Sequence, residues 1–270
     1  MRLLHLSDIH FRRHYPRHHS TYLDALAKMT SPLDHLEHCF RQVDRNLLDG
    51  VVISGDLTET GDASDYRQLK TALASLLQGL PLIVTLGNHD HKPAFRQGWG
   101  LLDAGRPGAD APYHDVLDLK DFRILSLDNA APGAPHGHIS ECQVYWLEQQ
   151  LRHAGHRRLL LVCHHHLLPE QASIPPASFG KTFESLVENS RIEGILCGHT
   201  HHQFQGTFAG KPYTTAPSLS FCGKNKADGQ VLFEENPGYQ LIDLLETDFM
   251  VTPVYLYSRP RHLGDVIFPL

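Results

Sequence analysis

Five short segments of the sequence place aspartate, histidine or asparagine directly after an apolar run. Carboxylates, imidazoles and amide oxygens are ligands that proteins use for ions such as Zn, Fe and Mn. One Asp-x-His or Gly-Asp pair arises easily by chance, whereas five such segments in this order indicate a metal site. The segments are Asp8-Ile9-His10, Gly55-Asp56, Gly87-Asn88-His89-Asp90, His164-His165-His166 and Gly198-His199-Thr200-His201.

These residue types predict a hydrolytic site that holds two metal ions. A divalent ion lowers the pKa of a bound water towards neutrality, and two neighbouring ions can stabilise both the attacking and the leaving oxygen of a phosphoryl transfer. A carboxylate shared by the two ions is the natural bridge. Asp8 and His10 are two residues apart, as are His199 and His201, so each pair points to one side if its segment is extended.

The apolar runs before these segments predict strands that are buried on both faces. Helical periodicity separates them: Ser31-Pro32 predicts a helix start, followed by apolar spacing that ends near Asp49-Gly50, and a second helix runs from Tyr66 to Leu77. This βαβαβ alternation predicts a mostly parallel sheet with right-handed crossovers. Ligands of open α/β sheets bind beyond the carboxyl ends of the strands, so we expect the five loops to converge.

The rest of the chain predicts antiparallel structure and one domain. Residues 113–127 read as a hairpin, 92–112 as an irregular surface segment and 140–152 as a helix. After His201 we predict strands at 203–208, 212–215, 239–245 and 249–257, with the hairpin 239–257 completing a second sheet packed on the first. Internal repeats and linkers are absent from the sequence, so we expect a single domain over 1–270.

Composition is that of an ordinary globular protein with an excess of histidine. The chain has 270 residues, of which 41% are hydrophobic and 20% charged, and its net charge of -6 argues against a dedicated nucleic-acid partner. Its 21 histidines favour metal binding, and its five cysteines read as reduced apolar residues. Without a signal-like amino terminus or an apolar run of membrane-spanning length, we expect a cytoplasmic protein with no membrane partner.

The combined segments resemble the calcineurin-like metallophosphoesterase superfamily from Leu4 to roughly Leu256. The openings Ser7–Arg12 and Ser54–Leu57 and the triple histidine at 164–166 are most similar to bacterial cyclic-nucleotide phosphodiesterases of the third class and to related glycerophosphodiesterases. The resemblance implies an α/β fold of mixed sheets, a four-layer αββα sandwich, with a dinuclear Fe, Mn or Zn centre.

The resemblance also implies a role for each residue. One metal would be held by Asp8, His10 and His201, the other by Asn88, His164 and His199, with Asp56 as the bridge. Strand alternation would put His164 and His166 on one side and His165 on the other, and the resemblance favours the first. Asn88 would also stabilise phosphate charge, His89 would assist the leaving oxygen and Asp90 would orient it. Arg12, Arg13 and Lys92 could meet substrate or be solvated charges.

We therefore predict a dinuclear phosphodiesterase of a small substrate, with 3',5'-cyclic nucleotides such as cyclic AMP as the leading substrate class. Glycerophosphodiester or broad-specificity phosphoester hydrolysis is the alternative. A non-catalytic scaffold is disfavoured because every expected ligand is present, and a DNA nuclease because the chain is acidic. A homodimer or larger homo-oligomer could form through the carboxyl-terminal hairpin with Tyr255 and Tyr257, which could equally be a sheet edge.

Overall fold

The computed structural model describes residues 1–18, 20–101, 108–131, 133–246 and 248–267. The predicted domain limit at residue 270 lies outside these ranges, and the single-domain extent stays a prediction. The described strands are β1 (Arg2–Leu6), β2 (Gly50–Ser54), β3 (Leu82–Thr85), β4 (Asp115–Leu119), β5 (Phe122–Ser126), β6 (His138–Ile139), β7 (Arg158–Val162), β8 (Ser178–Phe179), β9 (Ile192–Cys197), β10 (Phe204–Phe208), β11 (Lys211–Thr215), β12 (Cys222–Asn225), β13 (Val231–Glu235), β14 (Gly238–Leu244), β15 (Phe249–Tyr255) and β16 (Arg261–Val266). The described helices are α1 (Thr21–Leu26), α2 (Pro32–Gln42), α3 (Ala63–Leu77), α4 (Lys92–Trp99), α5 (Glu141–Arg152) and α6 (Lys181–Glu188).

Two mixed sheets form the centre of the fold. The first has the order β15-β14-β1-β2-β3, in which β1, β2 and β3 are parallel. The second has the order β10-β11-β9-β7-β5-β4, in which the four inner strands are parallel and the edge strands antiparallel. All five predicted strands before the ligand segments are confirmed: three lie in the first sheet and two in the second.

The carboxyl-terminal hairpin lies in a different sheet from the one expected. β14 pairs antiparallel with β1, with Leu3 opposite Ile242, so the hairpin 239–257 extends the first sheet and does not complete the second. The predicted placement of the hairpin was wrong because β1 pairs with β2 on one edge only. Its other edge needs a partner strand, and β14 supplies it. β10 and β11 extend the second sheet instead.

Three apolar cores confirm the four layers. Alternate residues of β1 divide between two of them: Leu4 packs outward beneath α2 and α3, and Leu3 packs inward against the second sheet. The outer face of the second sheet is covered by α5 and α6, through Leu147 and Phe183. The order of layers is therefore helices, first sheet, second sheet, helices.

The predicted helix starts agree with the structure better than the predicted helix ends do. The Ser31 side chain accepts a hydrogen bond from the Leu33 amide, which confirms the predicted start of α2. The helix ends at Gln42, before the expected Asp49, because Val43 is extended and a short 3-10 turn follows. Segment 92–112 was predicted to be irregular, yet 92–99 forms α4, whose Phe95 ring packs 5.5 Å from Tyr66 of α3.

A third sheet, which we call the small sheet, was not predicted from the sequence. It has the order β12-β13-β16, and α1 packs on it through Ala25 and Leu26 against Phe233 and Leu263. It lies next to the segment that follows His201, so its position matters for the site. None of the described helices has the length and apolar character needed to cross a membrane.

Candidate metal centre

The structure brings the five segments together at the carboxyl ends of the central strands. The Asp8 amide donates to the Gly55 carbonyl at 3.1 Å, and the Gly198 amide donates to the His164 carbonyl at 2.9 Å. The two sheets meet where the His199 amide donates to the Asp8 carboxylate at 3.0 Å. Every residue predicted from the sequence as a metal ligand therefore lies in one place.

Four of these residues form what we call the first half-site: Asp8, His10, Asp56 and His201. Their ligand atoms all lie within 4.8 Å of one another. The two imidazole Nε2 atoms of His10 and His201 are only 3.1 Å apart, and His201 Nε2 lies 3.3 Å from Asp8 Oδ1. Two carboxylates and two imidazoles that aim at one point form a ligand set for a divalent ion.

The second half-site comprises His164, His165, His199 and Asn88. The three histidines have ligand nitrogens within 4.8 Å of one another. His164 Nε2 lies 3.3 Å from Asn88 Oδ1 and 3.3 Å from Asp56 Oδ2, and Asp56 Oδ2 is also 3.6 Å from His10 Nε2. The Asp56 carboxylate thus lies between the two half-sites, close to a histidine of each.

The histidine triplet does not follow the expected alternation. β7 ends at Val162, so residues 164–166 lie beyond the strand and its two-residue period no longer applies. His164 and His165 share one cluster with His199, and His166 is not part of that cluster. His164 is the member that faces Asp56 and Asn88, the position that the resemblance favours.

Backbone strain coincides with the candidate ligands. Nine non-glycine residues among those described have a positive φ, and five of them are candidate ligands. Such a conformation is costly for residues other than glycine and persists only where surrounding structure imposes it. The five are Asp8 (51°), His10 (49°), Asp56 (47°), His199 (72°) and His201 (59°).

Two glycines allow the loops to approach one another closely. A Cβ atom on Gly87 would overlap the Asp56 carboxylate, and one on Gly198 would overlap the Ser7 hydroxyl. Ser7 in turn donates to Asp8 Oδ2 at 2.5 Å. The glycines of the Gly-Asn-His-Asp and Gly-His-Thr-His segments are therefore required by packing around the ligands, beyond any local turn.

The electrostatics of the centre suit a bound cation. Burial opposes ionisation of Asp8, but His201 outweighs it and holds the pKa of Asp8 below its usual value. Burial likewise opposes ionisation of Asp56, but His164 lowers its pKa, and Asp56 in return raises the pKa of His164 to about 9 against the effect of burial. Burial lowers the pKa of His199 to about 3. Ionised carboxylates and neutral imidazoles are the forms that bind metal, so an ion would displace the His164 proton.

A buried imidazole in the second half-site supports the presence of an ion. Both ring nitrogens of His165 lack a hydrogen-bond partner among the described residues. Buried polar groups are almost always paired, and an unpaired one calls for an explanation such as an ion. His165 lies with its ring centroid 4.1 Å from that of His199. The donor set therefore fits two ions held by nitrogen and oxygen, with the His165 imidazole as a further donor in the second half-site.

His89 lies at the edge of the centre with 30% of its side chain exposed. Its Nδ1 lies 3.0 Å from the Glu59 carbonyl oxygen, which can only accept, so this contact leaves Nε2 to face a ligand. Asp90 was expected to orient His89. Its carboxylate instead accepts from the amides of Leu57, Thr58 and Gly87 and from the Tyr66 hydroxyl, because all four point into the same buried space.

Two buried residues that sequence reasoning missed support the ligands. Glu59 Oε2 lies 2.8 Å from His10 Nδ1, and its other oxygen accepts from the Tyr22 hydroxyl at 2.8 Å. Asn129 Oδ1 accepts from the amides of His164 and His165 at 3.1 and 3.0 Å. Glu59 is three residues after Asp56, a local signal that could have been noticed. Asn129 follows β5 and has no comparable signal.

Two of the three cations considered as substrate contacts have structural partners, and the third lies away from the candidate ligands. Lys92 is buried and pairs with Asp128 at 2.5 Å. Arg13 donates to Asp65 at 2.6 Å. Arg12 lines a separate cavity with Phe11 and Tyr15, and none of the candidate ligands is among the described residues that line it. Lys92 and Arg13 are therefore structural cations of the loops around the site.

The calcineurin-like phosphoesterase family model matches residues 1–203. The chain belongs to the calcineurin-like phosphoesterase family. The predicted resemblance is thereby confirmed, and with the converging ligand set it supports metal-dependent hydrolysis of phosphoesters at this centre.

Individual relatives of this family differ in the diester named for them. A 3',5'-cyclic adenosine monophosphate phosphodiesterase of Escherichia coli K12 is 30% identical over 80% of this chain and 78% of that protein. A glycerophosphodiester phosphodiesterase of Enterobacter lignolyticus is 30% identical over 81% of this chain and 77% of that protein. Among solved structures, purple acid phosphatase from yellow lupin seeds has a TM-score of 0.60 and 12% identity over 98% of this chain and 53% of that chain, a likeness of fold.

Proposed function

We propose that the protein hydrolyses 3',5'-cyclic nucleotides, cyclic AMP foremost, at a centre of two metal ions. The carrying observation is the Asp56 carboxylate, one oxygen of which lies 3.3 Å from His164 Nε2 and 3.6 Å from His10 Nε2. Relatives named as a cyclic AMP phosphodiesterase and as a dual-specificity cAMP/cGMP phosphodiesterase, the latter 28% identical over 81% of this chain, support the diester class.

The proposed ligands are three residues of each half-site together with Asp56, and His165 is not assigned to an ion. Asp8, His10 and His201 would hold one ion, Asn88, His164 and His199 the other, and Asp56 both. Imidazole and carboxylate donors favour Fe, Mn or Zn. When bound, the ions supply Lewis-acid chemistry, which activates water and neutralises charge on the phosphoryl oxygens.

The chain's own residues then position the diester and handle its proton. Because the Asn88 Oδ1 atom faces His164, its amide nitrogen is left to donate to a phosphoryl oxygen. His89 is fixed through Nδ1 by the Glu59 carbonyl, so its exposed Nε2 edge can deliver a proton to the leaving oxygen. Asp90 keeps the loops of Asp56 and Asn88 together, which preserves the spacing of both.

A substrate panel tests this proposal. Protein stripped of metal and reconstituted with Mn²⁺, Fe²⁺ or Zn²⁺ is assayed with 3',5'-cyclic AMP, 2',3'-cyclic AMP, glycerophosphocholine, bis(p-nitrophenyl) phosphate and p-nitrophenyl phosphate. We expect cyclic AMP to have the highest kcat/KM and the stripped protein to be inactive. Highest kcat/KM with glycerophosphocholine would replace the cyclic-nucleotide proposal with the glycerophosphodiester alternative, to which the Enterobacter relative points.

His89→Ala examines the proposed proton donor. We expect kcat to fall about 100-fold or more while bound metal is unchanged, because His89 is not among the proposed ligands. The exposed His156→Ala is the matched control and should behave as wild type. A His89→Ala protein with wild-type kcat would remove this role and leave the metal centre standing.

A further inference from the structure

A cavity of about 640 Å³ opens directly beside the candidate metal centre. One wall is the segment 199–202 that carries His199 and His201, another is the loop 171–174, and the third is the small sheet. Small-molecule sites typically have volumes of roughly 300–1,000 Å³, so a nucleotide fits here. The cavity is continuous with the reacting centre, where the organic part of a bound diester must extend.

The wall nearest the metal centre is aromatic. Phe221 and Phe233 stack with ring centroids 4.9 Å apart and an interplanar angle of 20°. The Phe221 ring lies 4.7 Å from His201 and 5.1 Å from His10, and its carbonyl oxygen is 2.7 Å from His201 Nδ1. This wall is therefore fixed to the first half-site, and the apolar side chains of Ile174 and Val231 extend it.

Polar groups lie at the rim and on the floor of the cavity. The Asn225 amide donates to the Ser173 hydroxyl at 3.0 Å and so connects the small sheet with the loop 171–174. Lys224 pairs with Glu234 at 2.5 Å at the exposed rim. On the floor of the cavity, the Gln171 side chain donates to the hydroxyls of Thr200 and Thr215, which holds the loop 171–174 in place.

The lining distinguishes between classes of leaving alcohol. Among the described residues that line the cavity, none carries a carboxylate, and the nearby Glu234 carboxylate is already paired with Lys224, so a choline or ethanolamine cation would find no free anionic partner in the lining. A neutral aromatic base, in contrast, matches the apolar wall and can share hydrogen bonds with amide side chains at its edge. Because Phe221 and Phe233 are both only 4% exposed, the base would contact the accessible part of this wall rather than an open aromatic face.

We propose that this cavity binds the nucleobase of the substrate, between the Phe221–Phe233 wall and the loop 171–174, with Asn225 at the base edge. The proposal rests on the proposed cyclic-nucleotide function. It assigns to the small sheet and the loop 171–174 the discrimination between a nucleotide and a diester that lacks a base.

Filling the cavity tests the assignment. Ile174→Trp inserts an indole where the base would lie, and Asn225→Ala removes the amide with little risk to folding because Asn225 is exposed. kcat/KM is measured for 3',5'-cyclic AMP and for methyl p-nitrophenyl phosphate, which is small and has no base. We expect Ile174→Trp to lower the value for cyclic AMP about tenfold or more, Asn225→Ala about threefold to tenfold, and the small diester less than twofold.

A matched control and a binding readout complete the test. Leu47→Trp makes a similar change at an exposed site beside the amino end of β2, away from the centre, and should match wild type. Adenosine should inhibit hydrolysis of the small diester competitively in wild type, and at least tenfold more weakly in Ile174→Trp.

The possible failures are distinguishable. If wild type hydrolyses cyclic AMP and both cavity variants do so equally well, the base-binding assignment alone is overturned. Equal losses on both substrates would also overturn it, because the cavity would then act on the centre as a whole. If wild type hydrolyses the small diester but not cyclic AMP, the proposed function fails and this inference with it.

Discussion

The two halves of the candidate centre are held in place by different kinds of support. In the first half-site, His10 Nδ1 lies 2.8 Å from the Glu59 carboxylate, and His201 Nδ1 lies 2.7 Å from the Phe221 carbonyl oxygen. In the second, His164 Nδ1 lies 2.7 Å from the Ser54 carbonyl and His199 Nε2 lies 3.0 Å from the Pro135 carbonyl. The first half-site therefore has a buried anion directly behind a ligand ring, and the second is supported by neutral carbonyls.

This difference predicts an order of metal affinity. A carboxylate behind a ligand imidazole fixes its tautomer and raises its basicity, and such outer partners typically contribute 10–100-fold in affinity. The second half-site depends more on the backbone of residues 164 and 165, which Asn129 holds. We expect the first half-site to fill first when metal is added to stripped protein, and each prediction below changes one side of this comparison.

The largest effect is expected where the halves share a ligand. Asp56→Asn keeps the shape of the side chain but removes the charge common to both half-sites, so both ions should bind weakly and kcat/KM should fall roughly 1,000-fold or more. Metal analysis after desalting and the diester assay measure this, with the exposed turn variant Asp228→Asn as control. A variant that still retains two ions would rule out Asp56 as the bridge.

Glu59→Gln tests whether the two half-sites differ in metal affinity. It keeps the hydrogen-bonding reach to His10 but removes the anion, so the affinity of the first half-site should fall about 10–100-fold and that of the second less than threefold. Calorimetric titration of stripped protein with Mn²⁺ resolves the two events, and Glu148→Gln, at a half-exposed residue of α5 that pairs with the exposed Arg152, is the matched control. Equal weakening of both events would show that Glu59 supports the centre in general and would remove the asymmetry.

Asn129→Ala tests the support of the second half-site. Its loss leaves two buried amides without their acceptor, which should cost about 1–3 kcal/mol of the free energy of unfolding. Because those amides belong to His164 and His165, the second half-site should lose more affinity than the first. Asn129→Asp keeps the accepting oxygen and should recover part of both losses. Urea unfolding and metal titration give the two values, and rescue by aspartate distinguishes anchoring from simple loss of volume.

The sequence predicted the parts of this arrangement that local patterns encode. Apolar runs located the strands before Asp8, Asp56 and Asn88, and Ser31 and Ser140 marked the starts of two helices. The metal-binding residues follow from those runs, because the carboxyl ends of neighbouring parallel strands must share an edge. The fold and the convergence of the ligands could therefore be predicted without coordinates.

What could not be predicted depends on contacts between distant residues. β14 pairs with β1 although Leu3 and Ile242 are far apart in the chain, and either sheet would have satisfied the hairpin's own pattern. The support from Asn129 is likewise a tertiary contact. Asp90 shows the same limit within one loop: its neighbour in sequence is His89, but its hydrogen bonds go to the amides of other segments. The small sheet is built from short strands whose partners are not local.

The smallest effect concerns the support that the small sheet gives to His201. Glu235 of β13 is buried, lies 3.0 Å from His35 Nε2, accepts from the Thr30 amide at 2.7 Å and pairs with Arg261. Burial opposes its ionisation, but these hydrogen bonds outweigh burial and lower the pKa of Glu235 from 4.5 to about 2. A lowered folded-state pKa contributes stability that is present above pH 4.5 and is lost as the pH falls towards 2.

Glu235→Gln should therefore flatten the acid side of the stability curve. At pH 7 we expect the metal-free variant to be about 1–2 kcal/mol less stable than wild type, and the difference to shrink between pH 4.5 and pH 3 as wild type loses its advantage. Urea unfolding across this range measures it, with Glu148→Gln as control. Because Phe221 connects the small sheet to His201, the first half-site should also lose a few-fold in Mn²⁺ affinity at pH 7 while the second does not. A loss confined to the second half-site would contradict the view that the small sheet supports the first.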